Sequence, residues 1–259
     1  MSKIQAAFKK QHKCFIPFIT AGDPDLETTQ KLIITMANAG ADIIELGIPF
    51  SDPVAEGEVI QAANIRALAA GTTTDKIFAM LEQVRRETDV PLVFLTYVNP
   101  IFTYGTEKFL AACKRTGIDG IIVPDVPYEE KAPLAELCTE YGVDLIPLVA
   151  PTSDERIKMI AKDAQGYVYI VSSLGVTGVR KDITTDIAAI VEAIRSATDV
   201  PAAVGFGIAT PQQAQQMAQL SDGAIVGSAV VQIVGQHGKA CLKPVEEYIK
   251  QMADAVHGQ

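Results

Sequence analysis

Short runs of β-branched and apolar residues alternate with amphipathic stretches along the whole chain. This alternation restricts the fold more than any other feature. The runs are Phe15–Thr20, Ile43–Ile48, Pro91–Tyr97, Gly120–Val123, Leu145–Ala150, Tyr167–Ser173, Ala202–Gly207 and Ala224–Gly227. Most are apolar at consecutive positions, as parallel strands covered by helices on one side and packed on the other must be. Between them lie helical patterns at Leu26–Ala39, Thr74–Glu87, Thr106–Arg115, Ser153–Ala164, Thr185–Ser196 and Pro211–Gln219, each starting near a capping residue or Pro. Gly40, Gly117 and Gly142 punctuate a recurring helix-to-strand junction, Ala39-Gly40-Ala41-Asp42, Thr116-Gly117-Ile118-Asp119 and Tyr141-Gly142-Val143-Asp144. Eight βα units in 259 residues, with no Ser/Gly-rich linker, predict an α/β protein: a single (β/α)8 TIM barrel domain over 1–259 with extra short helices. An open doubly wound sheet is the alternative, but no GxGxxG follows the first strand.

Charge and residue usage narrow the chemistry. Lys plus Arg number 22 against 31 Asp plus Glu, a net charge of −9. That balance lacks the basic footprint of a nucleic-acid binder and does not favour an anionic membrane surface. No apolar run has the length of a bilayer span, and Met1–Lys13 has no signal-peptide core, so a cytoplasmic protein is expected. Cys14, Cys113, Cys138 and Cys241 are far apart with no CxxC pair, which predicts buried free thiols. His12, His237 and His257 lie near the ends or in a late polar segment, poorly placed for a triad or a metal site. Carboxylates are the better acid–base candidates, and no metal is expected.

In a barrel of this kind, chemistry sits where strands end and loops begin. Two connections are long, Pro49–Gly71 and Leu174–Asp182. Glu45 lies inside the second apolar run, where a carboxylate is costly to bury unless it is paired or protonated. A raised pKa would suit a catalyst, while a structural carboxylate bonded to a neighbouring strand remains equally open. Just beyond it, Asp52, Glu56 and Glu58 crowd one loop, either as part of a mobile lid or as solvated acids capping a helix starting near Val59. Gly175-Val176-Thr177-Gly178, Gly205-Phe206-Gly207-Ile208 and Gly227-Ser228-Ala229 are each weak signals for phosphate, but they fall on successive strand ends. Phe18, Leu95, Tyr97 and Tyr169 could line an apolar slot or simply fill the core, and Asp125 could meet a ligand or partner or satisfy a turn.

Taken together, Pro17-Phe18-Ile19-Thr20-Ala21-Gly22-Asp23-Pro24, Glu45-Leu46-Gly47-Ile48-Pro49-Phe50-Ser51-Asp52-Pro53, Gly175-Val176-Thr177-Gly178, Gly205-Phe206-Gly207-Ile208 and Val226-Gly227-Ser228 make a chain that resembles the α subunit of tryptophan synthase from end to end. The resemblance implies cofactor-free retro-aldol cleavage of indole-3-glycerol phosphate to indole and glyceraldehyde 3-phosphate. It also implies an α2β2 complex, in which indole passes to a β subunit that carries pyridoxal phosphate. By motif position it makes Glu45 the acid–base residue, with Tyr169 beside it, and Glu56 the second catalytic carboxylate. It assigns Gly178, Gly207, Gly227 and Ser228 to phosphate, Phe18, Leu95 and Tyr97 to the indole pocket, and Thr177 to closure of the sixth loop.

The sequence departs from the family at the second carboxylate. Ala55-Glu56-Gly57-Glu58 stands where the family usually shows Ala-Asp-Gly-Pro. Glu56 keeps the charge with one more methylene, and Glu58 replaces a rigid Pro. Either Glu56 substitutes for the usual Asp, or activity waits on a partner that orders the loop. Other phosphosugar enzymes and a non-catalytic regulatory subunit are the competing readings. The first class would call for lysines at strand ends, and none falls within the eight runs.

Overall fold

A computed structural model of the chain describes residues 2–10, 13–171, 186–205 and 207–258. Thr177, Gly178 and the long sixth-loop segment expected over Leu174–Asp182 lie outside the described residues. The order begins with α1 (Lys3–Phe8), β1 (Cys14–Thr20), α2 (Leu26–Asn38), β2 (Ile44–Gly47), α3 (Glu58–Ala69) and α4 (Thr74–Val84). It continues with β3 (Leu92–Leu95), α5 (Val98–Tyr104), α6 (Thr106–Thr116), β4 (Gly120–Ile122), α7 (Ala132–Tyr141), β5 (Asp144–Leu145) and β6 (Leu148–Val149). It ends with α8 (Asp154–Lys162), β7 (Val168–Val171), α9 (Ile187–Arg195), β8 (Ala202–Gly205), α10 (Pro211–Leu220), β9 (Gly223–Val226), α11 (Ser228–His237) and α12 (Leu242–His257).

All the strand pairings are parallel, in the order β5-β4-β3-β2-β1-β9-β8-β7-β6. β5 and β6 are two halves of one expected strand, interrupted at Ile146-Pro147. The Ile146 amide donates to Ile121 O at 2.9 Å, and the Tyr169 amide donates to Pro147 O at 2.9 Å. The fifth strand therefore faces β4 with its first half and β7 with its second, which closes the ring. Proline has no N–H to give to a ladder, so a break in regular pairing falls naturally beside it.

Apart from the half-buried β5, the start of β6 and the end of β3, the strands bury both faces. Phe15 and Ile19 of β1 point outward into the layer shared with the helices, whereas Cys14 and Ile16 point into the barrel with Ile43, Val93, Ile122, Tyr167 and Ile225. Ile4 and Ala7 of α1 belong to this inner cluster, so α1 plugs the lower end of the barrel. Chemistry-bearing side chains are left only the upper rim. The helix ends carry the local signals that fix their positions. Asp25, Thr73 and Ser153 cap α2, α4 and α8, while Thr210 and Gln213 form a capping box on α10. Gly117 and Gly142 end α6 and α7 in the left-handed conformation at φ 69° and 72°.

Two expectations need adjustment. The long connection expected over Pro49–Gly71 is loop only as far as Gly57, because its second half is α3, which Gly57 caps without a side-chain bond. The third strand stops at Leu95, and Tyr97 instead becomes the residue that opens α5. The four cysteines are free and buried. His257 Nε2 lies 2.8 Å from Asp42 Oδ2 at the lower rim, away from the site described next.

Candidate active site

A cavity opens at the upper rim, with about 670 Å³ of empty space including its open mouth. Its wall includes Phe18, Glu45, Glu56, Leu95, Tyr169, Gly207, Gly227 and Ser228. Eight of the residues singled out in the sequence therefore converge from β1, β2, β3, β7 and the loops beyond β2, β8 and β9. Ala55, Ile60, Pro124, Leu148, Ile208 and Ile225 complete the largely apolar lining.

Glu45 occupies the middle of β2, in register with Phe18 on one side and Val93 on the other. It is 1% exposed and, among the described residues, has no cation beside it. Burial pushes its carboxyl up from 4.5 to about 8, and a hydrogen bond from Tyr167 pulls weakly the other way. The Tyr167 hydroxyl donates to Glu45 Oε1 at 2.5 Å. The structural-carboxylate alternative called for a bond to a neighbouring strand; the bond found comes from Tyr167, just before β7, which is not a neighbour of β2, and Glu45 lines the cavity while holding it. Tyr169 lies one step higher on the same face of β7, and its hydroxyl occupies the space a Cβ on Gly205 would take. Gly47 likewise leaves room for the Phe18 ring, since a Cβ there would come within 2.6 Å of it.

Glu56 reaches the same cavity from the loop and is 6% exposed. Asn64, one face down α3, donates from Nδ2 to Glu56 Oε2 at 2.7 Å, and Gln61 Nε2 holds the Glu56 carbonyl at 2.7 Å. Burial raises the Glu56 carboxyl above the usual range, against hydrogen bonds from Asn64 and Tyr97. Tyr97 is buried behind this loop, where its hydroxyl accepts the Ala55 amide at 3.2 Å, and it does not line the cavity. Its hydroxyl braces the loop that carries Glu56. Glu58 sits exposed in the first turn of α3, where negative charge complements the helix dipole, so it takes the Pro position without entering the site. Asp125 accepts the Val98 amide at 3.0 Å and caps α5.

At the cavity wall formed by Gly207, Gly227 and Ser228 a helix begins. Gly227 opens α11, a helix of 10 residues, and the first-turn amides there have no acceptor within the helix. Gly207, at φ 81°, turns the chain beside it. These groups follow β9 and β8, two and three strands round the ring from β2.

Tyr167 and Asn64 were missed in the sequence. Tyr167-Val168-Tyr169 carries a usable signal for the first, because residues two apart on a strand share a face. Asn64 has only its helical spacing from Ile60 to recommend it. Among the described residues no cluster of His, Cys, Asp or Glu could hold a metal ion, and no helix is long and apolar enough to cross a membrane.

A parallel barrel with a buried carboxyl of raised pKa and a glycine-led helix start in one apolar cavity fits an acid–base enzyme acting on a largely apolar substrate with an anionic end. The family model described as tryptophan synthase alpha chain matches residues 4–257. A tryptophan synthase alpha chain from Lacticaseibacillus casei is 50% identical over 99% of this chain and 96% of its own length. One from Thermoanaerobacter sp. is 46% identical over 99% and 100%. The crystal structure of tryptophan synthase subunit alpha from Legionella pneumophila superposes with a TM-score of 0.90 at 35% identity, covering 100% of both chains. The chain belongs to the tryptophan synthase alpha chain family. Its activity is that of a carbon–carbon lyase of tryptophan biosynthesis, which cleaves indole-3-glycerol phosphate to indole and glyceraldehyde 3-phosphate.

Proposed function

We propose that Glu45 carries both proton transfers of this cleavage and that Glu56 stabilises the charge that develops between them. The C3–C3′ bond of indole-3-glycerol phosphate cannot break toward indole until C3 is protonated. Glu45, protonated at neutral pH, gives its proton to C3 and leaves a cationic ring nitrogen. Glu56, buried and anchored by Asn64, offers a carboxylate to that N–H. The Glu45 carboxylate then takes the proton of the C3′ hydroxyl. As the new C=O forms, the C3–C3′ electron pair returns to the ring and neutralises it. Indole and glyceraldehyde 3-phosphate leave, and Glu45 is protonated again.

Phe18 and Leu95 would flank the indole, with Tyr169 beside Glu45. Gly207, Gly227 and Ser228 would receive the phosphate through main-chain amides together with Gly178, and Thr177 would help close the sixth loop over the site. No step needs a cofactor in this chain. The single barrel domain is taken to span 1–259 and to work in the cytoplasm. One solved relative, from Pyrococcus furiosus, is a tryptophan synthase complex, with a TM-score of 0.84 and 34% identity. A β subunit bearing pyridoxal phosphate, in an α2β2 assembly, is the partner this reading supplies.

The observation that carries the proposal is Glu45 itself, buried on the cavity wall with, among the described residues, no cation to keep it ionised. Glu45→Gln is expected to abolish indole release while indole-3-glycerol phosphate still binds. Turnover retained in that variant refutes the assignment.

A further inference from the structure

Which oxygen of Glu45 carries the proton matters, because only a proton facing the substrate can be transferred. The Tyr167 hydroxyl is fully buried and donates to Oε1 at 2.5 Å. Among the described residues it has no other acceptor. If Glu45 carried its proton on Oε1 and donated to Tyr167, the phenolic hydrogen would be left unpaired in the barrel interior, a costly arrangement. With Tyr167 donating, Oε1 is occupied as an acceptor and the acidic hydrogen belongs on Oε2, the oxygen left for the cavity. We propose that Tyr167 is a positioning residue that fixes the Glu45 proton on its cavity-facing oxygen and holds the carboxyl in place through both transfers. The Phe8 ring of α1 packs on Tyr167, with centroids 5.6 Å apart, and keeps the phenol from rotating away. Tyr167 does not itself line the cavity, so it acts through Glu45.

This rests on the assignment of Glu45 as the acid, and the test keeps the two apart. The titratable groups facing the pair are Tyr169 on β7, Cys14 on β1 and Glu56 across the cavity; the neighbouring residues of β3 and β9, Val93, Leu95 and Ile225, are apolar. Steady-state indole release is measured across pH for the wild type, Glu45→Gln, Tyr167→Phe and the full chain with 3-fluorotyrosine at position 167. Tyr167→Phe removes the donor that stabilises the carboxylate. The alkaline limb of kcat/KM should then move to higher pH, kcat should fall by about tenfold or more, and KM should stay within about twofold. Fluorination makes the phenol a stronger donor and should move the limb to lower pH. That arm keeps the site packed and reads the bond even where Tyr167→Phe folds poorly. A merely structural role predicts otherwise: loosened packing lets water reach Glu45, which lowers the limb in Tyr167→Phe, while the fluorinated protein matches the wild type. Either result overturns the proposal. An inactive Glu45→Gln alongside an unmoved limb sinks the Tyr167 role alone, whereas an active Glu45→Gln sinks the Glu45 assignment first.

Discussion

Replacing Glu45 by Gln should make the protein more stable, and by an amount that grows with pH. Gln has nearly the same shape and its carbonyl can accept the Tyr167 bond, so the comparison isolates ionisation. The unfolded carboxyl titrates near 4.5, whereas burial holds the folded one at about 8. Between these values the folded wild type binds one proton more than its unfolded chain. Its stability therefore falls as pH rises, by about 1.4 kcal/mol per pH unit, and levels off above about 8. Below the lower value both states are protonated and the cost is absent. The displacement corresponds to about 5 kcal/mol, a ceiling because Glu45 borders a cavity that admits water. The assay is urea denaturation of both proteins at matched ionic strength from about pH 5 to about pH 9, taking the difference at each pH. Shifts at distant groups cancel in that difference; among the described residues Tyr167 and Tyr169 interact with Glu45 directly. A difference that stays flat, or shrinks as pH rises, would mean that Glu45 is ionised in the folded protein, and the acid role would fail with it.

Other outcomes follow from the same geometry. Glu56→Ala should lower kcat by roughly tenfold to a hundredfold in the indole-release assay, since a charge-stabilising group is lost; an unchanged rate would move the role to another acid. Asn64→Leu should give a smaller loss of the same kind, read as kcat against KM, because Glu56 keeps its Tyr97 contact. Gly205→Ala places a methyl in the space of the Tyr169 hydroxyl and should cost about 1–3 kcal/mol in urea denaturation. Arg66→Met leaves the Asp23 carboxylate buried without its two-pronged partner at 2.8 and 2.7 Å. Because Arg66 is itself partly exposed, the cost should be about 2–3 kcal/mol by thermal or urea unfolding, below that of a fully buried pair.

The strands were legible because a parallel barrel buries both faces of each one, and the resulting apolar runs are short and dense. Their exact ends were less so. Tyr97 continues the third run in composition, yet its backbone opens α5, since side-chain character does not record where a ladder runs out of partners. α3 was half hidden because Gly57 caps it with no side chain and its buried face is built from the small or polar Ala63, Asn64 and Ala67 beside Ile60. Glu45 announced itself as a charge in an apolar run. Tyr167 did not, because a tyrosine in a strand is ordinary and its meaning depends on a contact with a residue 122 positions away. Tyr97 illustrates the converse. Its position is as the motif implies, but its hydroxyl is engaged with the loop, a distinction that lies in side-chain direction alone.

An acidic chain of net charge −9 that receives a phosphate looks contradictory until the charges are placed. Repulsion from scattered surface carboxylates is screened over about 8 Å at physiological ionic strength. The amides at the start of α11 would meet the phosphate of the proposed substrate directly, where the helix dipole is least screened. Two acids, Glu45 and Glu56, line the cavity, and burial raises both carboxyls, Glu45 to about 8, so Glu45 adds little negative charge at neutral pH. The apolar wall that suits an indole ring is thus the same feature that stores the proton and removes a negative charge from the path of the anion. A lysine at the rim would bind phosphate more strongly, but it would also pull the Glu45 pKa down and empty the acid of its proton at neutral pH. Main-chain amides, which carry dipoles but no net charge, provide the anion site with the least disturbance of that acid.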